Sequence, residues 1–325
     1  MLGALIVVYA VFRIRRAFFT CLLPVILLIT SCGNPQTDYR VDTPTNGTAS
    51  IAVDESFQPV ITEAINVFES IYPQTGIFPI YAGETDVLNL LLRDSVHFAI
   101  ATRTLTAEER ASLESRKLFA QEIKIATDGI ALLINKANKD SLISLQDLRR
   151  ILTGKATAWS DLNPKSTLGD IRIMFDHPRS GTVRFLMDSV CRGENLSNGA
   201  RSRLHHAEVV DFVSQTPGAL GIIGVNWVSN HRDTTCMGFL DKVRIMAVSR
   251  EAVATADNSF QPYQAYLATE QYPLRRDVYV LLTDPRHGLP AGFTSFLASD
   301  RGQRIILKSG ILPATIPLRI IQVIQ

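Results

Sequence analysis

Short runs of β-branched and other apolar residues alternate, over residues 50 to 310, with stretches in which apolar positions recur every three or four residues. Ile51 and Val53 predict a short strand, and Val60, Ala64, Val67, Phe68 and Ile71 then fall on one helical face. The plan repeats: Gly83-Glu84-Thr85 opens a helix carrying Leu88, Leu91 and Leu92, and Val96 to Thr102 reads as the next strand. Thr106 with Glu109 forms a capping box for a further helix. A long extended run, Ile123 to Asn135, leads to Ser144 as a helix cap, with Leu145, Leu148, Ile151 and Leu152 on the buried face and Gly154 closing the helix. Val183, Leu186, Met187 and Val190 predict a helix opened by Ser180-Gly181-Thr182, and Phe293, Phe296 and Leu297 predict one from Pro290. Strands alternating with helices in this way predict an α/β fold with a largely parallel sheet.

The ends of the chain follow other patterns. Arg13, Arg15 and Arg16 precede an apolar run from Ala17 to Ile29, and Ile29-Thr30-Ser31-Cys32 supplies small residues before a cysteine. These are the three regions of a secretory signal, and the run is shorter than the roughly 20 residues a membrane span needs. Met1 to Phe12 is also apolar, so either translation starts near Arg13 or the signal is unusually long. Residues 32–48 are polar and rich in Thr, Asn, Pro and Gly, the composition of a tether. Removing residues 1–31 takes three arginines and no acids from 33 basic and 31 acidic residues, so the net charge falls from +2 to −1. That balance excludes nucleic acid as a partner. The 294 residues that remain suffice for two lobes. Cys191 and Cys236 could pair in an oxidising compartment or stand as isolated thiols, and neither has metal-ligand spacing around it. His205-His206 and His287 are expected at the surface or at helix caps, since no nucleophile sits at a telling distance from them. No cofactor is expected.

Candidate chemistry gathers at strand ends, where open α/β sheets bind ligands. Asp54-Glu55-Ser56-Phe57 is one such loop, and Thr102-Arg103-Thr104 is another. Ser180 is open to two readings. Its hydroxyl can cap the helix, or Ser180, Gly181 and Thr182 can form an anion cradle from free N–H groups.

Several stretches together are more specific than any of them alone. In order they are ATRTLTAEE, then D-G-I followed by an apolar strand and asparagine, L-x-x-L-R-x-I-L-T-G-K, W-S-D-L, RSGTVRF and TPGALGIIG at residues 216–224. The chain resembles the solute-binding proteins of phosphate ABC transporters over roughly residues 50–310. That resemblance implies a two-lobed fold of the periplasmic-binding-protein type (type II), each lobe α/β, joined by a two-strand hinge. Lobe one is expected at residues 49–128 plus 275–325 and lobe two at 129–274, with crossings at Lys124 to Asn135 and Pro273 to Leu282. It also implies a non-enzymatic, monomeric receptor. The receptor would hold phosphate or a related oxyanion and deliver it to an ABC permease from the cell envelope, anchored to the membrane by lipid on Cys32.

The contacts the resemblance carries over are Ser56, Phe57, Glu84, Thr85, Thr102, Arg103, Asp176, Arg179, Ser180, Gly181 and Thr182. The match to S-G-T favours the cradle. Relatives commonly carry an arginine four residues before that serine, where this chain has Asp176, so Arg179 or Arg103 is expected to supply the cation. Glu84 or Asp176 is expected to accept the proton of monohydrogen phosphate, which sulfate lacks. Two other functions stay open at this point. One is a relative with a changed ligand, used for sensing or for another solute. The other is an envelope hydrolase acting through Ser180, for which the chain offers no G-x-S-x-G elbow.

Overall fold

The computed structural model describes residues 42–203, 206–229, 238 and 241–315. The signal segment, Cys32, His205 and Cys236 lie outside the described residues. Cys191 is a buried free thiol.

In chain order the elements are β1 (Gly47–Asp54), α1 (Gln58–Ile71), β2 (Thr75–Ala82), α2 (Glu84–Leu92), β3 (Phe98–Ala101), α3 (Ala107–Ser115) and β4 (Gln121–Asn135). There follow β5 (Leu142–Ser144), α4 (Leu145–Leu152), β6 (Arg172–Phe175), α5 (Gly181–Phe185), β7 (Arg201–Ser202), α6 (His206–Gln215) and β8 (Ala219–Gly224). The chain continues with β9 (Val243–Ile245), β10 (Ala247–Ser249), β11 (Ser259–Phe260), a short helix (Gln264–Ala268), β12 (Arg275–Leu282), α7 (Leu289–Ala298), α8 (Asp300–Lys308) and β13 (Leu312–Pro313).

The ten-stranded sheet runs β2-β1-β3-β12-β4-β8-β6-β7, with β13 and β9 also paired to β4. β1, β2 and β3 are parallel to one another, as are β6, β7 and β8, and the antiparallel pairs cluster around β4 and β12. β4 divides along its length. Gln121 to Gly129 pairs with β12, and from Ile130 onward the partners are β8 and β9. The long extended run thus threads two halves of one curled sheet.

Burial follows the sequence pattern. Along β4, Ala131 and Leu133 lie on the side covered by α6, while Ile130, Leu132 and Ile134 belong to the opposite core with Leu148, Ile151 and Trp159. Phe68 of α1 meets Phe293 of α7 at 5.4 Å between ring centroids. The motif residues Trp159 and Asp161 are structural. The Trp159 indole N–H donates to Gly218 O at 3.0 Å, and Asp161 accepts the N–H groups of Thr157 and Ala158. Thr106 and Glu109 form the capping box, and Ser144 caps α4. β1 begins at Gly47, and Asp42 already accepts the Leu289 N–H at 2.8 Å, so order starts ahead of the polar stretch's expected end.

Candidate functional site

The loops after β1 and β3 and the start of α2 meet the loop after β6, across the central strands β12 and β4. β1 ends at buried Asp54, whose Oδ1 accepts the Ser56 N–H at 2.9 Å and opens a single turn, Glu55–Phe57. Phe57, the last residue of this turn, is fully buried in the core. Glu84, the first residue of α2, is 1% exposed, and its Oε1 accepts both the N–H and the hydroxyl of Thr102 at 2.5 Å.

On the other side Asp176 shapes the S-G-T loop. Its carboxylate accepts the Ser180 hydroxyl at 2.6 Å, the Thr182 hydroxyl at 2.9 Å and the His177 N–H at 2.8 Å. Ser180 Oγ also accepts the Val183 N–H at 3.3 Å, so it caps α5. The Gly181 N–H crosses to Asp54 Oδ2 at 3.1 Å. The N–H that could serve an external anion therefore meets a carboxylate of the chain itself. A Cβ at Gly181 would lie 2.5 Å from Thr102 Oγ1, 2.7 Å from Asp54 Oδ2 and 2.9 Å from Glu84 Oε1, so only glycine fits. α5 is five residues long and widens into a π-helical turn at Leu186–Val190, which keeps the expected apolar face.

The sequence placed the cation at Arg103 or Arg179. The fork of Arg103 grips Glu109 through two 2.7 Å hydrogen bonds. Arg179 is 60% exposed and pairs with Asp86 at 2.9 Å, while its carbonyl accepts the N–H of exposed Thr85 at 3.3 Å. The guanidinium that reaches across is Arg184. Its Nε donates to Glu84 Oε2, Nη2 to Thr102 O and Oγ1 at 3.2 and 2.9 Å, and Nη1 to Asp188 at 3.3 Å. Arg184 stands inside the RSGTVRF stretch, four residues after Ser180 and so on the same helical face. That spacing was the available signal.

A second guanidinium, Arg276 of β12, is 3% exposed and pairs with Asp128 of β4 at 3.0 Å. Its Cζ lies 5.4 Å from the centroid of the Phe57 ring, a cation–π contact. His206 departs from the surface or capping position expected of it. It is 1% exposed, stacks on Trp227 at 4.3 Å between centroids, and sets Nε2 3.5 Å from Asp176 Oδ2 and Nδ1 4.0 Å from Glu55 Oε1. Its burial comes from α6, whose Val209, Val210 and Val213 enter the core beside it.

The site gathers four carboxylates, Asp54, Glu84, Asp128 and Asp176, none more than 1% exposed. Burial pushes the Asp54 carboxyl up to about 6 against the pull of Arg276, with Glu84 and Asp176 adding repulsion. For Glu84, burial pulls upward, but hydrogen bonding and charge from Arg184, together with Thr102, hold the carboxyl below its usual range. Asp176 is likewise held low against burial, by His206, Ser180 and the His177 N–H.

Known proteins with the same fold cover nearly all of this region. The profile described as PBP superfamily domain matches residues 40–301. The phosphate-binding protein PstS of Staphylococcus aureus (strain USA300) is 22% identical over 294 residues, 87% of this chain and 84% of that protein. A putative phosphate ABC transporter substrate-binding protein from Clostridium perfringens, solved with bound phosphate, superposes with a TM-score of 0.69 at 21% identity, covering 83% of this chain and all of that one. An ABC-type phosphate transport receptor from Vibrio cholerae gives 0.62 at 19% identity, covering 82% and 100%. These neighbours are two-lobed, and the two-lobed α/β fold expected from the resemblance is the one observed, but the sheet is mixed and not largely parallel, because β4 and β12 pair antiparallel with their neighbours. With its profile spanning 40–301 and its sheet built on the same two-lobed plan, the chain belongs to the PBP superfamily.

Proposed function

We propose that the protein is an envelope-anchored solute-binding protein that captures phosphate or a related oxyanion between its lobes and hands it to an ABC permease. The observation that carries this reading is the convergence of the Ser56 turn, Thr102 and the S-G-T loop on one buried polar site, held by Gly181 N–H to Asp54 and Arg184 to Glu84. Relatives of similar length bear phosphate-binding names. Ser180 Oγ donates to Asp176, whose carboxyl is held below its usual range and is therefore a weak base, and not to an imidazole. That supports binding over hydrolysis. The switch of β4 from β12 to β8 at Gly129 and Ile130 supports the lobe limits of 49–128 plus 275–325 and 129–274. No helix among the described residues is long and apolar enough to cross a membrane. Anchoring rests on Cys32, and Cys32→Ser is expected to leave an unprocessed precursor or a protein free of the membrane fraction. Finding that variant still lipidated would remove the assignment.

The four buried carboxylates favour an anion that brings protons, or else a changed ligand. Asp54 sets the pH dependence. A raised carboxyl pKa means that Asp54 stabilises the fold fully below its ordinary value of 3.8 and loses that contribution as pH rises through about 6. Protonation of Asp54 removes the negative charge opposite the Gly181 N–H, so oxyanion affinity is expected to rise as pH falls from 7.5 to 5.5, by up to about tenfold per pH unit. Sulfate keeps its charge over this range and reports the protein alone, and Asp54→Asn should flatten its profile. Calorimetry with phosphate and sulfate on wild type and Asp54→Asn is the test. A folded wild type that binds neither anion refutes the oxyanion reading, and mass spectrometry showing a retained organic solute would move the protein to the changed-ligand class.

A further inference from the structure

The fork of Arg276 is only partly used. Nε and Nη2 both donate to the same oxygen, Asp128 Oδ2, at 3.1 and 3.0 Å. Nη1 is buried and has no hydrogen-bond partner among the described residues, and the same holds for Ser56 Oγ. The two unpartnered donors belong to neighbouring parts of the site, since the guanidinium lies over Phe57 and Ser56 is the preceding residue of the same buried turn. The other cations nearby are occupied. Every nitrogen of the Arg184 guanidinium has an acceptor, the Arg103 fork closes on Glu109, and Arg179 points to Asp86 from an exposed position. Burying a guanidinium N–H that donates to nothing is costly, and the cost is recovered when an acceptor arrives. Besides Asp128, the charges that act on Arg276 are Asp54, Asp176 and Glu84, the acids that border the site.

We propose that Arg276 is the cation that grips the oxyanion, donating through Nη1 beside the Ser56 hydroxyl, with Asp128 as the positioning residue that fixes the plane of its fork. This deepens the oxyanion reading above and rests on it. It moves the charge contact from the S-G-T loop to a central strand, and it accounts for how the chain carries an aspartate at 176. A guanidinium suits this role because it stays charged when buried and can give Nη1 to a ligand while Nε and Nη2 are held by Asp128, a division of donors that the single ammonium of a lysine does not reproduce.

Phosphate and sulfate titrations of wild type, Asp128→Asn/Arg276→Gln, Arg276→Lys and Ser56→Ala test this, each variant checked for a cooperative melt. The double variant replaces the ion pair by a neutral hydrogen-bonded one, and while folded it should lose about a hundredfold or more for both anions, about 2.7 kcal/mol. Equal loss for the two is expected because a guanidinium meets charge and not the ligand's proton. Arg276→Lys keeps the charge beside Asp128 and should still lose about tenfold, as should Ser56→Ala. If the double variant does not fold, Arg276→Lys decides. Affinity within threefold of wild type in the folded double variant, or in Arg276→Lys when only that variant folds, overturns the proposal for Arg276 alone. A folded wild type that takes neither anion overturns it together with the oxyanion reading.

Discussion

Gly181→Ala is expected to weaken oxyanion binding by about a hundredfold or more while the protein remains folded. The added methyl would sit inside 3 Å of Thr102 Oγ1, Asp54 Oδ2 and Glu84 Oε1, all on buried, hydrogen-bonded side chains that cannot swing away. Forcing extra volume into such a contact costs about 1–3 kcal/mol. The displaced loop also gives up the Gly181 N–H bond to a carboxylate, about 1.5–3 kcal/mol for a charged partner. The clash arises where the S-G-T loop meets the facing loops, so the cost falls on closure and not on either core. Calorimetry for affinity, with a thermal melt as control, measures both. An alanine variant that binds phosphate within threefold of wild type would show that the loops do not close as described.

Arg184→Gln should cost the fold about 3 kcal/mol and invert one part of its pH dependence. Glu84 is 1% exposed, and removing one partner of a buried pair costs about 3–5 kcal/mol because the other charge is stranded. Arg184 itself is 30% exposed, which places the effect at the low end. In the native protein the depressed Glu84 carboxyl contributes stability above the usual carboxylate range and loses it as pH falls. Without Arg184 burial dominates and the carboxyl pKa rises, so stability should fall as pH rises toward neutrality. Glu84→Gln in the same background should restore most of the loss, since the amide oxygen of the shortened charge-free pair can still accept from Thr102. Urea unfolding at pH 5 and pH 8 reads out both changes. Equal stability of Arg184→Gln at the two pH values, or no rescue by the second substitution, would contradict this account of the pair.

What the sequence made legible is what local spacing controls. The faces of α1, α2 and α4, the long β4 run, the Thr106–Glu109 box and the Ser144 cap all depend on residues within one or two turns of each other. The S-G-T loop was legible as a helix opening capped by Ser180, because a hydroxyl before an apolar helical face is a local signal. The guanidiniums were not. Arg103 lies beside the site in sequence, yet Glu109, six residues on, supplies a bidentate partner within its own turn, and this local pair wins. Arg276 stands far along the chain from the S-G-T loop, in a strand whose period-two burial reads as core, and nothing short of sheet registry shows that it faces Asp128. His206 was hidden for the same reason. Its burial depends on α6 packing across β4 and on Trp227 arriving after β8.

The carbonyl of Ser56 accepts hydrogen bonds from Asn226 and from the Trp227 indole, the latter at 3.0 Å, and both donors follow β8 on the far side of the central strands. This clasp is made wholly by the protein, so under the proposed function it holds the loops together with and without cargo. It shifts affinity only in so far as it changes how much of the empty protein is already shut. Entry and exit both require the two bonds to break together, so residues 226 and 227 are expected to set the rate of exchange in both directions.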